Sequence, residues 1–149
     1  MSQAAARVNV LAILPSPEDQ TSLTQIFRHS HWGLHFADAL GRAGPAIDEL
    51  AVGVVISHSK LPDAGWQDVL QELQFRPLEP VLIVASRLAD DGLWAEVLNL
   101  GGYDVLAIPF QTQEVIRSVS LAWRHWRDGV VAGRGKVMAA GSSARQSLS

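Results

Sequence analysis

Short apolar runs alternate along the chain with segments whose apolar residues recur at helical spacing, and this alternation constrains the fold most. The runs occupy residues 8–14, 32–37, 52–57, 81–85 and 105–108. Most are nearly continuous, as is typical of parallel strands buried on both faces, and all are too short to cross a bilayer. Strands in strict alternation with helices predict a doubly wound α/β domain, a flavodoxin-like three-layer sandwich with strand order 2-1-3-4-5.

Capping residues mark where several helices begin and end. Ser16 followed by Pro17 is typical of a helix start, because proline suits the first helical position. Asp90 and Asp91 could be read as displaced metal ligands, but a capping role at the start of the fourth helix is favoured. Gly101 can end that helix, because glycine readily adopts the left-handed conformation that helix termini often need.

The last helix is predicted over residues 112–128. After it the composition changes to glycine, alanine and serine with scattered charges. We therefore predict three parts: a short amino-terminal extension over residues 1–7, a globular domain over 8–128, and a flexible tail over 129–149.

The composition excludes several classes of protein. The 149 residues include no cysteine, which rules out disulfides, thiolate metal sites and a cysteine nucleophile. A formal net charge of -3, without clustered lysine or arginine, predicts no nucleic-acid binding. The amino terminus lacks the apolar stretch of a secretion signal, so we expect a cytoplasmic protein that does not associate with membranes.

Three short patterns occur in the order found in a known family. They are Ser16-Pro17-Glu18-Asp19 at the first helix start, Leu61-Pro62-Asp63-Ala64-Gly65 after the third strand, and Ile108-Pro109-Phe110 after the fifth. With them, residues 8–126 resemble the receiver domains of bacterial response regulators. The resemblance implies the receiver fold, a cis peptide bond before Pro109, and a place in two-component, or phosphorelay, signal transduction.

The same resemblance places unsuitable side chains at every position that handles phosphate in the family. The acid pair that binds a divalent metal falls on Leu14 and Pro15, and the phosphoacceptor aspartate falls on His58. The conserved hydroxyl of the family falls on Ala85, and its lysine falls on Ile108. Aspartyl phosphorylation needs a carboxylate, a metal and a cation. The resemblance therefore implies a degenerate receiver, or pseudo-receiver, with no catalytic residue, no metal and no cofactor.

Histidines suggest two further hypotheses about function, and for each a role without chemistry is favoured. His58 could carry a phosphoryl group, but a polar cap at the end of a buried strand is the favoured interpretation. Three closely spaced histidines have a spacing that could bind zinc: His29, His31 and His35. Histidines at a helix end and in a loop are usually solvated, so no metal site is predicted there.

Tryptophans indicate a possible interaction surface. Trp123 and Trp126 lie three residues apart on the last helix, so their side chains face nearly the same way. In receivers the surface of helix four, strand five and helix five is the usual partner face, and there Trp94 and Val105 are the matching positions. Tryptophan is enriched at interface anchors. The alternative is that Trp123 covers the core and Trp126 closes the helix end.

These observations predict an atypical receiver domain that is not an enzyme and acts by docking or dimerisation independently of phosphorylation. The expected partner is a protein: a sensor kinase, an output protein or a second copy of the chain. The alternative is a small-molecule sensor. It would use the crevice at the carboxyl ends of the strands, lined by Pro15, His58, Ser86 and Ile108.

Overall fold

The computed structural model describes residues 8–140, with side chains up to residue 132. Its sheet consists of the strands β1 Asn9–Ile13, β2 Gly33–Ala37, β3 Val54–His58, β4 Val81–Ser86 and β5 Asp104–Ala107. All neighbouring strands are parallel, and their order is β2-β1-β3-β4-β5. The doubly wound α/β fold predicted from the alternating pattern is therefore confirmed.

Five α-helices connect the strands. They are α1 Pro17–Phe27, α2 Ala43–Glu49, α3 Trp66–Gln74, α4 Asp91–Leu100 and α5 Thr112–Ala140, and a single 3₁₀ turn, Leu40–Arg42, leads into α2. No helix within residues 8–140 combines the length and the apolar character that a membrane span requires.

The core lies in two layers, one on each face of the sheet. In β1, Val10 and Ala12 belong to the layer under α1 and α5, whereas Leu11 and Ile13 belong to the layer under α2, α3 and α4. This alternation follows from the period of two in a strand, and it explains why the strand is apolar throughout.

The predicted helix boundaries are largely confirmed. Asp90 caps α4, since its carboxylate accepts a hydrogen bond from the Leu93 backbone N–H at 2.9 Å. Gly101 follows α4 with a φ of 112°, which is the left-handed conformation expected there. Ser16 holds the N-cap position of α1 and Pro17 its first turn, although the serine side chain makes no capping hydrogen bond. The peptide bond between Ile108 and Pro109 is cis, as the resemblance implies.

The prediction for the carboxyl-terminal region is wrong in part. Helix α5 does not end at Asp128 but continues to Ala140, so the expected flexible tail is helical over its first twelve residues. Glycine in a helix interior costs about 1 kcal/mol but keeps its N–H donor, and this segment has no proline to stop the helix. Residues 1–7 and 141–149, to which the other terminal predictions apply, lie outside the described residues.

Candidate functional site at the carboxyl ends of the strands

The carboxyl ends of β1, β3, β4 and β5 meet at one edge of the sheet, which we call the mouth, and bring together the positions that the resemblance assigns to phosphate handling. His58 lies beside Ala85 in the register of β3 and β4, and the Ser59 N–H donates to the Ala85 carbonyl at 2.9 Å. The Ile108 N–H donates to the carbonyl of Ser86 at 3.0 Å. The sequence positions that the resemblance grouped are therefore grouped in space.

Three of these positions are part of the core. Leu14 and Ala85 are fully buried, Ile108 is nearly so, and all three belong to the apolar layer under α1 and α5. Pro15 and His58 remain half-buried at the rim. In this region carbon atoms occupy the positions where metal-binding oxygens would have to stand, and a hard cation such as Mg²⁺ is bound by oxygen ligands.

His58 is held as a neutral polar group. Its Nδ1 atom accepts a hydrogen bond from the Lys60 backbone N–H at 3.0 Å, which leaves the proton on Nε2. Burial is the main cause that lowers the pKa of His58 below its usual 6.5; the Asp19 carboxylate opposes this effect and the Arg87 guanidinium adds to it. The Nδ1 atom of His58 is thus already engaged by the backbone that follows β3, which agrees with the interpretation of His58 as a polar cap.

A partly buried ion pair lies at the mouth, and the sequence prediction missed it. The Asp19 side chain on α1 is only 5% exposed, and Arg87, which follows β4, contacts it with a side chain that is 54% exposed. Arg87 Nη2 donates to Asp19 Oδ1 at 2.9 Å, and Nη1 donates to Oδ2 at 3.3 Å. Both carboxylate oxygens are therefore engaged by one guanidinium, in the planar geometry that favours arginine over lysine.

Two further polar side chains near the mouth form hydrogen bonds within the protein. The Gln20 side chain donates from Nε2 to the Leu14 carbonyl at 2.7 Å, and the Ser86 hydroxyl accepts from the Leu88 N–H at 3.1 Å. Asp19 is the one carboxylate residue that is buried as a whole among the described residues, and one carboxylate oxygen of the half-buried Glu114, in the first turn of α5, is also buried and has no hydrogen-bond partner. The mouth thus combines an apolar floor with an ion pair whose two charges compensate each other. Its described residues provide no cluster of oxygen ligands for a phosphoryl group and its metal.

The predicted interaction residues do not form one exposed surface. Trp94 on α4 is 50% exposed, but Val105 and Trp123 are buried, and Trp123 is only 9% exposed. Trp126 is half-buried, and its Nε1 donates to the Leu78 carbonyl at 2.9 Å. The prediction that Val105 and Trp123 are surface anchors is therefore wrong. The apolar stripe of α5 that carries Trp123 faces the sheet and α1, so the alternative interpretation holds for it.

The three closely spaced histidines lie at separate elements. His29 and His31 are exposed in the loop after α1, and His35 lies in β2. Within the part of the chain that the structure describes, no three His, Asp or Glu side chains are placed to share a metal ion.

Comparisons with known proteins agree with the doubly wound fold. No family model and no curated protein sequence matches the chain. Among solved structures, the signal receiver domain of an HD domain-containing protein from Pseudomonas fluorescens Pf-5 is 25% identical with a TM-score of 0.73, over 82% of this chain and 98% of that one. The Francisella response regulator 1452 receiver domain is 20% identical with a TM-score of 0.70, over 80% and 98% of the two chains. The beryllofluoride-activated NtrC4 receiver domain dimer is 20% identical with a TM-score of 0.71, over 79% and 98%.

These structures define the class of the protein as a doubly wound α/β domain of the flavodoxin-like type. Within that class, the fold is the receiver-domain fold of response regulators, as the sequence resemblance predicts.

Proposed function

We propose that this receiver-type domain is a pseudo-receiver, which docks to a protein partner in a two-component or related pathway without phosphoryl transfer. The observation that carries the proposal is the closed mouth. Leu14, Ala85 and Ile108 fill it with apolar side chains, and Arg87 occupies both oxygens of Asp19. Placing a doubly charged phosphoryl group there without compensation would cost several kcal/mol. The domain would then act by binding alone and not as an enzyme.

The surface of α4, β5 and α5 is the proposed docking face. β5 is an edge strand of the sheet, so α4 and α5 flank it without a further strand. Trp94 on α4 and Leu121 on α5 are large apolar side chains that are 50% and 44% exposed. Half-exposed tryptophan is a typical interface anchor. The Ser118 hydroxyl donates to the Asp104 carboxylate at 2.7 Å and ties α5 to β5 beneath this face.

A second copy of the chain is the partner that we favour. The receiver domain of NtrC4 shares this fold and forms a dimer in its beryllofluoride-activated form, so the fold can present a dimer interface. Trp94 and Leu121 would bury apolar area in such an interface without requiring a complementary charge on the partner. A sensor kinase or an output protein would use the same face.

The first prediction concerns phosphoryl chemistry. Acetyl phosphate or beryllofluoride with magnesium is expected to leave both the mass and the melting temperature of the protein unchanged, because His58 occupies the phosphoacceptor position and Asp19 is already paired with Arg87. Intact-protein mass spectrometry and thermal denaturation measure the two quantities, with a conventional receiver domain treated in parallel as a positive control. A gain of one phosphoryl group, or a clear stabilisation by beryllofluoride, would contradict the proposal.

The second prediction concerns the docking face. Trp94→Ser is expected to weaken self-association by roughly thirtyfold or more, because truncating a hot-spot tryptophan costs about 2 kcal/mol or more. Sedimentation velocity over a range of protein concentrations measures this effect. The matched control is Phe75→Ser, which removes an exposed aromatic side chain that follows α3 and belongs to none of the three elements of the docking face. Self-association that is unchanged in Trp94→Ser, or a wild-type chain that stays monomeric throughout, would contradict docking to a second copy.

The structure gives little support to the alternative, a small-molecule sensor, at the crevice where it was predicted. Ile108 and the neighbouring Leu14 and Ala85 are packed into the core, so the expected crevice is largely filled. A sizeable cavity lies instead at the opposite end of the sheet.

A further inference from the structure

A cavity of about 650 Å³ lies at the amino ends of β4 and β5, and we call it the lower cavity. It is enclosed by the end of α3, the loop from α3 to β4, the turn from α4 to β5, and α5 beyond residue 124. Apolar side chains form most of its wall, among them Leu70, Leu73, Leu78, Val81, Trp126 and Val130. The mouth lies at the other ends of the same strands, so the lower cavity is separate from the site described above.

The wall of the lower cavity is fixed by packing and by hydrogen bonds. The Trp126 ring lies against Gly53 so closely that a Cβ atom there would stand 2.6 Å from the ring. The hydrogen bond from Trp126 Nε1 to the Leu78 carbonyl fastens the loop before β4 to α5. The Tyr103 N–H donates to the Leu82 carbonyl at 2.7 Å and continues the sheet below β5. A preformed cavity of this kind binds a ligand without the cost of ordering its walls.

The chemistry of the wall indicates the class of ligand. None of the described residues that line the lower cavity is a lysine or an arginine, and Glu79 adds a carboxylate, so an anion has no cationic partner there. Aromatic surface comes from Trp126 and from Tyr103, whose ring lies 5.3 Å from the ring of His125. The Tyr103 hydroxyl and the Gln74 amide add a few hydrogen-bonding groups to an otherwise apolar wall, which is the usual composition of a small-molecule site.

We propose that the lower cavity is a binding site for a neutral, mainly apolar aromatic molecule. Its volume lies within the range of roughly 300–1,000 Å³ that small-molecule sites occupy. The ring of such a ligand would stack against Trp126 and Tyr103, and one polar substituent would reach Gln74 or the tyrosine hydroxyl. This proposal does not rest on docking through α4, β5 and α5, and either one can fail without the other.

The experiment uses the neutral dye N-phenyl-1-naphthylamine, whose fluorescence rises in apolar surroundings, titrated with the intact chain. Saturable binding is expected. Gly129 lines the lower cavity, and a Cβ atom there would meet nothing within 4 Å, so the longer side chain of Gly129→Leu has open space to fill. This variant is expected to weaken dye binding by about tenfold or more. It should also fold at least as well as wild type, because Gly129 lies in a helix interior.

The matched control is Gly129→Ala, which shares the gain in helix propensity but occupies little of the space. It is expected to bind the dye almost as well as wild type. Trp94→Ser, which alters the docking face, should also leave binding unchanged. The proposal is overturned if wild type shows no saturable binding, or if Gly129→Leu binds as tightly as wild type. Loss of binding in Trp94→Ser alone would place the dye on the docking face and would equally overturn the proposal.

Discussion

Trp123→Ala is expected to lower the free energy of unfolding by roughly 3–5 kcal/mol, the usual cost of removing a large aromatic side chain from a core. Trp123 is 9% exposed and packs in the layer between the sheet, α1 and α5, which also contains Phe27 and Val119. Truncation leaves a void between α5, α1 and the sheet, and α5 could fill it only by losing other contacts with the sheet. Urea denaturation followed by circular dichroism measures the loss as a lower midpoint with an unchanged slope.

Two further variants separate packing from the other properties of this side chain. Trp123→Phe keeps an aromatic ring and removes the buried Nε1 donor, which has no hydrogen-bond partner, so its loss is expected to stay below about 1.5 kcal/mol. Trp126→Ala truncates a half-buried side chain, and its loss is expected to be roughly half that of Trp123→Ala. A stable Trp123→Ala variant that no longer self-associates would instead assign Trp123 to an interface.

The fold was predictable because its signals are local. Each strand is a separate apolar run, and residues such as Pro17, Asp90 and Gly101 mark helix boundaries through backbone chemistry that acts within a few residues. The end of α5 was not predictable in the same way. Glycine lowers helix stability without forbidding the helix, so Gly129 alone did not define a boundary.

The tryptophans predicted to form an interaction surface show what helical spacing alone cannot indicate. Trp123 and Trp126 do share a face of α5, as their spacing indicates, but spacing does not say whether that face meets the core or the solvent. The sheet and α1 cover most of it, and Trp94 on α4 is left as the exposed tryptophan of the predicted set.

The character of the mouth was partly predictable. Leu14 and Ile108 directly follow β1 and β5, Ala85 lies next to the last residue of β4, and the resemblance to receiver domains assigned all three. The partner of Asp19 could not be assigned, because Arg87 lies 68 residues away in the chain. A local signal for the burial of Asp19 did exist. It precedes Leu23 and Ile26 by four and seven residues, which places its carboxylate on the buried face of α1.

The ion pair at the mouth leads to the last prediction. Arg87→Met is expected to lower the free energy of unfolding by about 1–3 kcal/mol, because it leaves the buried Asp19 carboxylate without its partner. This is less than the cost for a fully buried pair, since water already reaches Arg87, whose side chain is 54% exposed. Asp19→Leu is expected to cost less, because the freed guanidinium can turn into solvent. Urea denaturation at neutral pH measures each variant.

The double variant distinguishes the ion pair from ordinary packing. If Arg87 stabilises the protein by compensating the Asp19 charge, then Arg87→Met should cost almost nothing once Asp19 is leucine, and the coupling energy of the cycle should be about 1–3 kcal/mol. The matched control is Arg42→Met, which breaks the exposed pair with Asp38, 3.6 Å long, and is expected to cost less than about 0.5 kcal/mol. Equal, small losses for Arg87→Met and Arg42→Met would show that solvent reaches Asp19. A solvated, uncompensated carboxylate would be free to bind a cation, so that result would also weaken the case for a mouth closed to phosphoryl chemistry.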